Sequence, residues 1–176
     1  MADPLLVLAA AVVGGVLTGW ATYAFPMAAN RRQVALQLLQ QYTSVEFAIL
    51  RHETWRISYD WAQGDRSCVE FFLRRGFTHD PATISVTAAN GLTSHQSLSM
   101  LLHFFSALSV YYDSNLVDAR LLKMLFEPHY RWYKQFFHEF MGEYVERRRD
   151  QGEEDIEPVW LTALPRLESI FADPEA

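Results

Sequence analysis

TSHQSLSMLLHFFSALSVYY, residues 93–112, is the stretch that decides the fold. Leu98, Leu101, Leu102, Phe105, Leu108 and Tyr112 recur at three- and four-residue spacing and make one apolar helical face. Met100, Phe104, Ala107 and Tyr111 make a second face, leaving only a narrow polar stripe at Ser99, His103 and Ser106. A helix that is apolar on two sides has to be surrounded by other helices. Thr93 and Gln96 stand at capping-box spacing and mark its start. The expected fold is therefore all-α, a compact bundle with this helix at its centre.

Downstream, Asp118 opens a short amphipathic piece, Leu121 to Phe126, and Pro128 suits the first turn of a new helix. That helix is expected to run to about Arg149, with Tyr133, Phe136, Phe137, Phe140 and Tyr144 inward. Upstream, Asn30 and Gln33 can cap a helix start, and Ala35, Leu38, Leu39, Tyr42, Val45 and Ile49 keep one face. No Gly or Pro interrupts before Gly64, so the pattern predicts one long helix from about Arg31 to about Trp61. Asp65 can cap a short helix through Val69, Phe71 and Phe72 that stops at Gly76. Thr83, Ile84, Val86 and Thr87 have strand propensity, but a single strand has nothing to pair with. Pro158 opens a last helix carrying Trp160, Leu161, Leu164, Leu167 and Phe171, which Pro165 is expected to kink or divide.

Further out lies LLVLAAAVVGGVLTGWATYAF, Leu5–Phe25, uncharged over 21 residues. At about 1.5 Å per residue it matches the roughly 30 Å hydrocarbon core of a bilayer, so it reads as one transmembrane helix. A cleaved signal peptide would begin with a positive region and use a shorter apolar run, whereas Met1-Ala2-Asp3-Pro4 holds no Lys or Arg. Arg31 and Arg32 follow the span and no base precedes it, so the N-terminus is expected outside and the domain in the cytoplasm, at the inner membrane. Trp20, Tyr23 and Phe25 suit the inner interface. Ala11, Gly15 and Gly19 form a stripe of small residues along which another transmembrane helix, from a second copy or a partner subunit, can approach closely. The organisation expected is an anchor over 1–29, a bundle of about four to six helices over 30–149, and an acidic segment with a short Pro-kinked helix over 150–176.

Two stretches, Tyr42-Thr-Ser44-Val-Glu46 with Arg51 following, and LLHFFSALSVYYDSNLVDARLLKMLFEPHYRWYKQFF at 101–137, together resemble a broad bacterial family of membrane-anchored helical proteins of unknown function. The resemblance covers about residues 30–145, implies an anchor and a helical fold, and brings no catalytic residues.

Charge is distributed unevenly. Residues 1–29 carry −1, 30–75 carry +2, 76–149 are neutral and 150–176 carry −7. This distribution along the sequence concentrates no basic patch of the size that nucleic-acid phosphates require, which argues against a nucleic-acid partner. The lone cysteine, Cys68, excludes an internal disulfide, and its apolar neighbours Val69, Phe71 and Phe72 read as core.

The six histidines, His52, His79, His95, His103, His129 and His138, invite a metal or haem, but the spacings oppose one. No Glu precedes a His by three residues, as di-iron bundles require, and His-Glu-x-x-His is absent. No cofactor is expected. His103 is the one histidine expected inside, hydrogen-bonded within the bundle. Glu46, Arg51, Glu53 and Arg56 read either as an ion-pair ladder or as a polar pocket, with Arg51, Arg56 and His103 as its candidate lining. No phosphate loop, nucleophile elbow or Cys/His pair is seen, so no enzyme is expected. The leading expectation is a noncatalytic accessory or scaffold subunit of a membrane complex; a membrane-tethered sensor or small-molecule binder is the alternative.

Overall fold

The structure, a computed structural model, describes residues 27–73, 94–152 and 158–172. Every element among them is helical: α1 (27–43), α2 (Val45–Ala62), α3 (Ser67–Leu73), α4 (Ser94–Asp113), α5 (Ala119–Asp150) and α6 (Trp160–Ala172). The expected anchor Leu5–Phe25 with its Ala11, Gly15 and Gly19 stripe, the stretch 77–92, Thr93 and the acidic run 153–157 lie outside the described residues. Among the described residues no helix is long and apolar enough to cross a membrane.

The helix expected from Arg31 to Trp61 is two helices, and the first is already under way at Met27 rather than capped by Asn30. The break falls at Ser44, which is extended (φ −63°, ψ 161°) and accepts the Phe47 N–H on its own Oγ at 3.3 Å. Thr43 beside it turns its hydroxyl onto the Leu39 carbonyl at 2.8 Å. Two successive hydroxyl side chains offer the backbone local partners that compete with helix continuation. The break shifts the buried stripe: Val45 faces outward, and Phe47, Leu50, Thr54, Ile57 and Trp61 face in.

Pro128 does not start a helix. α5 begins at the Asp118 N-cap, whose Oδ1 accepts the Leu121 N–H at 3.0 Å, and runs 32 residues with Pro128 inside. The carbonyl that Pro128 leaves without a donor belongs to exposed Met124, where water can serve it, so the break is tolerated. Exposed Pro165 likewise sits inside α6 without dividing it.

Ring contacts give the directions of the helices. Arg31 lies beside Asp118, Tyr42 beside Phe126 and His129, Trp61 beside Phe136 and Glu139, and Arg66 beside Glu143. The α1–α2–α3 segment therefore climbs along α5 in the same direction. α4 descends against it, with Ser94 at Glu53 and Phe104 at Tyr42, and α6 descends too, from Trp160 at Tyr144 to Phe171 at Tyr130. As expected, α4 is central: its most extensive contacts are with α2 and α6, and Leu98, Leu101, Leu102, Phe105 and Leu108 are fully buried. Trp160, Leu164, Leu167, Ile170 and Phe171 of α6 join the same core, so the chain beyond residue 150 contributes to the bundle.

Candidate functional site

The residues proposed for a polar pocket face three different neighbourhoods. The Arg51 guanidinium lies over the Tyr42 ring, 4.6 Å from its centroid, and its carbonyl accepts the Tyr133 hydroxyl at 3.1 Å. Arg56 points toward the start of α4, pairing with Glu53 at 3.0 Å and donating to Ser94 Oγ. His103 is exposed, on the outward stripe of α4, which corrects its placement in the interior; Ser94, Ser97, Ser106 and Ser109 are the polar residues that α4 buries. Ser106 and Ser109 satisfy their hydroxyls on the Leu102 and Ser106 carbonyls, something serine can do in a helix and histidine cannot. The two shallow surface depressions described are lined by other residues, one by Glu70, Leu73 and Arg147 with Asp150 and Gln151, the other by Glu127, Pro128, Arg131 and Trp132.

The α2–α4 junction holds the most buried charge. Glu53 is 5% exposed, accepts the Ser94 hydroxyl at 2.7 Å and is paired by Arg56 one turn along. Burying a carboxylate costs several kcal/mol unless it is paired and hydrogen-bonded, and here it is both. Of the two readings offered for the charges on this helix, the ion pair holds for Glu53 and Arg56, while Arg51 stacks on an aromatic ring instead. Ser94, His95 and Asp65 look like a hydrolytic triad by residue type, but the single hydroxyl proton of Ser94 goes to Glu53. His95 stacks on Phe71 with ring centroids 4.8 Å apart, and burial lowers its pKa.

A second polar centre ties α6 to α5. Glu168 accepts from Tyr130 Oη at 2.7 Å, His138 Nε2 at 2.5 Å and Lys134 Nζ at 3.2 Å, three side chains spaced one turn apart on α5. Burial alone would raise the Glu168 pKa, but the three bonds outweigh it and hold the carboxyl below the usual range. A carboxylate with a depressed folded pKa stabilises the fold above its unfolded pKa, and that contribution disappears as pH falls through the folded value. Glu168→Gln is thus expected to cost about 1 kcal/mol near neutral pH, a difference that shrinks below about pH 4.5 as the wild-type carboxyl protonates. Urea midpoints of both proteins from pH 6 to pH 3 provide the check. A gap independent of pH would show that the charge on Glu168 does not matter.

Cys68 is 2% exposed and its thiol is pushed up to about 12 by burial, in keeping with a core residue. Among the described residues no group of three or more His, Cys, Asp and Glu is arranged to hold a metal.

The surface carries apolar side chains that the folded domain does not use. Trp132 is 82% exposed on α5, and Met124 and Pro128 precede it at four-residue intervals on the same outward stripe. On α2, His52, Trp55 and Tyr59 stack on one another in the open, with centroids 6.2 and 6.0 Å apart. Sequence reading singled out neither stripe; the aromatic residues it named on α5 were the inward ones. The available signal was register: Trp132 is one residue before the buried Tyr133, about 100° around the helix from it, and on the stripe of Met124 and Pro128. No family model matches this chain, nor does any curated protein or solved structure.

Proposed function

We propose that this chain is a single-pass, membrane-anchored helical interaction protein, a noncatalytic accessory or scaffold subunit of a membrane complex. In this reading Leu5–Phe25 is the anchor and the helical domain stands on the cytoplasmic side of the cell membrane, the side that Arg31 and Arg32 after the span favour. The observation that carries this reading is Trp132, with Met124 and Pro128 on the same stripe. A tryptophan left this open on a well-filled bundle is an unused anchor of the kind that dominates protein interfaces. The Ala11, Gly15 and Gly19 stripe supplies a second contact, within the bilayer.

Purification of the full chain in mild detergent tests the proposal, with particle mass measured directly. An assembly larger than one chain is expected, weakened by Trp132→Ala; a lone monomer under conditions that preserve membrane complexes would remove the basis of the reading. Gly15→Leu with Gly19→Leu should weaken association in the membrane by about 1–2 kcal/mol, because bulky side chains hold an approaching backbone away. Leucine costs nothing in hydrophobicity, so insertion persists and the domain stays folded. Crosslinking yield of the double variant against wild type is the readout, and equal yields would mean that the small-residue stripe packs against nothing.

A further inference from the structure

We infer that the end of the bundle formed by the start of α1, the α4–α5 turn and the start of α5 is a docking face for anionic lipid headgroups. The inference rests on the membrane-anchored reading above and adds what the domain does with the bilayer it is tied to.

The topology defines this end. α5 starts and α4 finishes there, beside the first described turns of α1, since the Asp118 N–H, between α4 and α5, donates to the Arg31 carbonyl at 3.4 Å. The apolar stretch closes at Phe25, two residues before the first described residue of α1. Two residues of chain reach at most about 7 Å. Whatever bilayer holds Leu5–Phe25 is therefore within a few ångströms of this end, while α5 carries the opposite end about 48 Å away along its 32 residues.

The chemistry of this end suits such a neighbour. Arg31 and Arg32 meet the turn from α1, the Arg31 carbonyl accepting the Asp118 N–H and Arg32 lying 3.7 Å from Asp118 Oδ2, and exposed Arg120 follows Asp118 by two residues in the first turn of α5. The carboxylates beside them, Asp113 and Asp118, are each bridged by an arginine, Arg166 and Arg32 respectively. Asp173 and Glu175 follow α6 and lie outside the described residues. In the same turn, two residues before Asp118, Leu116 is 48% exposed. Its position is held by the backbone: Asn115 takes a left-handed φ of 55°, its N–H bonds the Tyr112 carbonyl at 2.8 Å, and the Leu116 N–H bonds the Tyr111 carbonyl at 3.0 Å. This is a Schellman closure of α4, in which the residue after the left-handed one commonly packs back on its own helix. Here that residue stays half open at the tip of a fixed turn. An exposed apolar side chain in a turn that basic residues flank is a pattern that inserts at an anionic headgroup layer, each Lys or Arg near such a surface strengthening attachment about fivefold at low salt.

The test uses the full chain in nanodiscs of phosphatidylcholine alone or mixed with phosphatidylglycerol. Leu116→Cys carries an environment-sensitive fluorophore, and Gln151→Cys, at the far end, is the control; buried Cys68 stays unlabelled. The Leu116 label is expected to brighten at least about twofold and shift to the blue only with anionic lipid, to lose the effect in high salt, and to lose most of it with Arg31→Glu and Arg120→Glu, as about fivefold per base implies. The Gln151 label should not respond. A Leu116 label indifferent to lipid charge, on a chain that resists extraction by alkaline carbonate, overturns the docking face and leaves the anchor standing. A chain that carbonate releases overturns both.

Discussion

A chain ending at Gln151 is expected to lose its cooperative unfolding transition. The deletion removes Trp160, Leu164, Leu167, Ile170 and Phe171, all buried against the rest of the bundle. Each such side chain contributes about 1.5–3 kcal/mol when fully buried, so the five together amount to roughly 8–15 kcal/mol. A domain of this kind is held by only about 5–15 kcal/mol in total. The deletion also strips the Glu168 partner from Tyr130, Lys134 and His138, and the Arg166 bridge from Asp113. The expected product keeps much of its far-ultraviolet helical signal, because local propensity and collapse survive, while thermal and urea curves become shallow. A sharp transition displaced by less than about 2 kcal/mol would show that α6 is an appendage, since surface elements cost little to remove.

Phe105→Ala is expected to cost about 3–5 kcal/mol, the range for truncating a fully buried aromatic side chain. Phe105 lies at the crossing of the helices, with its ring 5.2 Å from Tyr130, 5.7 Å from Phe104, and 6.0 Å from both Tyr42 and Phe137. Those rings come from α1, α4 and α5, so the cavity left by alanine is walled on three sides and cannot collapse by moving one side chain. Phe105→Leu should recover most of the loss, because it refills much of the volume. The same truncation at Trp132, 82% exposed, should change stability by less than about 0.5 kcal/mol. Urea unfolding of the three variants separates the outcomes. Equal losses at Phe105 and Trp132 would contradict the assignment of core and surface.

The two helices whose boundaries the sequence misplaced fail for one reason. Gly and Pro were weighed as breakers, and hydroxyl side chains were not. Thr43 and Ser44 ended α1 through bonds of about 3 Å to their own backbone, while Pro128 and Pro165, on exposed faces, did not interrupt α5 or α6. A proline breaks a helix when the carbonyl it orphans has no other partner, and which carbonyls face water is a property of the assembled bundle. His103 illustrates the same dependence. It lies between two apolar faces in sequence, yet a helix packed mainly against two others still has an open side, and α4 turns His103 and Met100 toward it.

The candidate surfaces were less legible than the core. Aromatic residues at helical spacing carry the same signature whether the stripe faces a neighbouring helix or solvent, so Trp55, Tyr59 and Trp132 could be separated from Trp61 and Tyr133 only by register. Glu53 was recognisable as one of several charges on its helix. Its burial depended on Ser94 arriving from 41 residues away.

What the sequence by itself determined is the part that local spacing controls: helices throughout the described residues, a central α4, a helix start at Asp118, and a buried Cys68. These follow from the 3.6-residue repeat and from bonds between residues three or four apart, which need no knowledge of the rest of the molecule. Only the tertiary structure decided that α1, α2 and α3 climb along α5 while α4 and α6 descend, that α6 closes the core, and that Arg31 of α1 meets the turn that carries Leu116 and Asp118. Each of those depends on which apolar face meets which, and hydrophobic burial is non-directional: it rewards the area that is covered and does not specify in advance the partner that covers it.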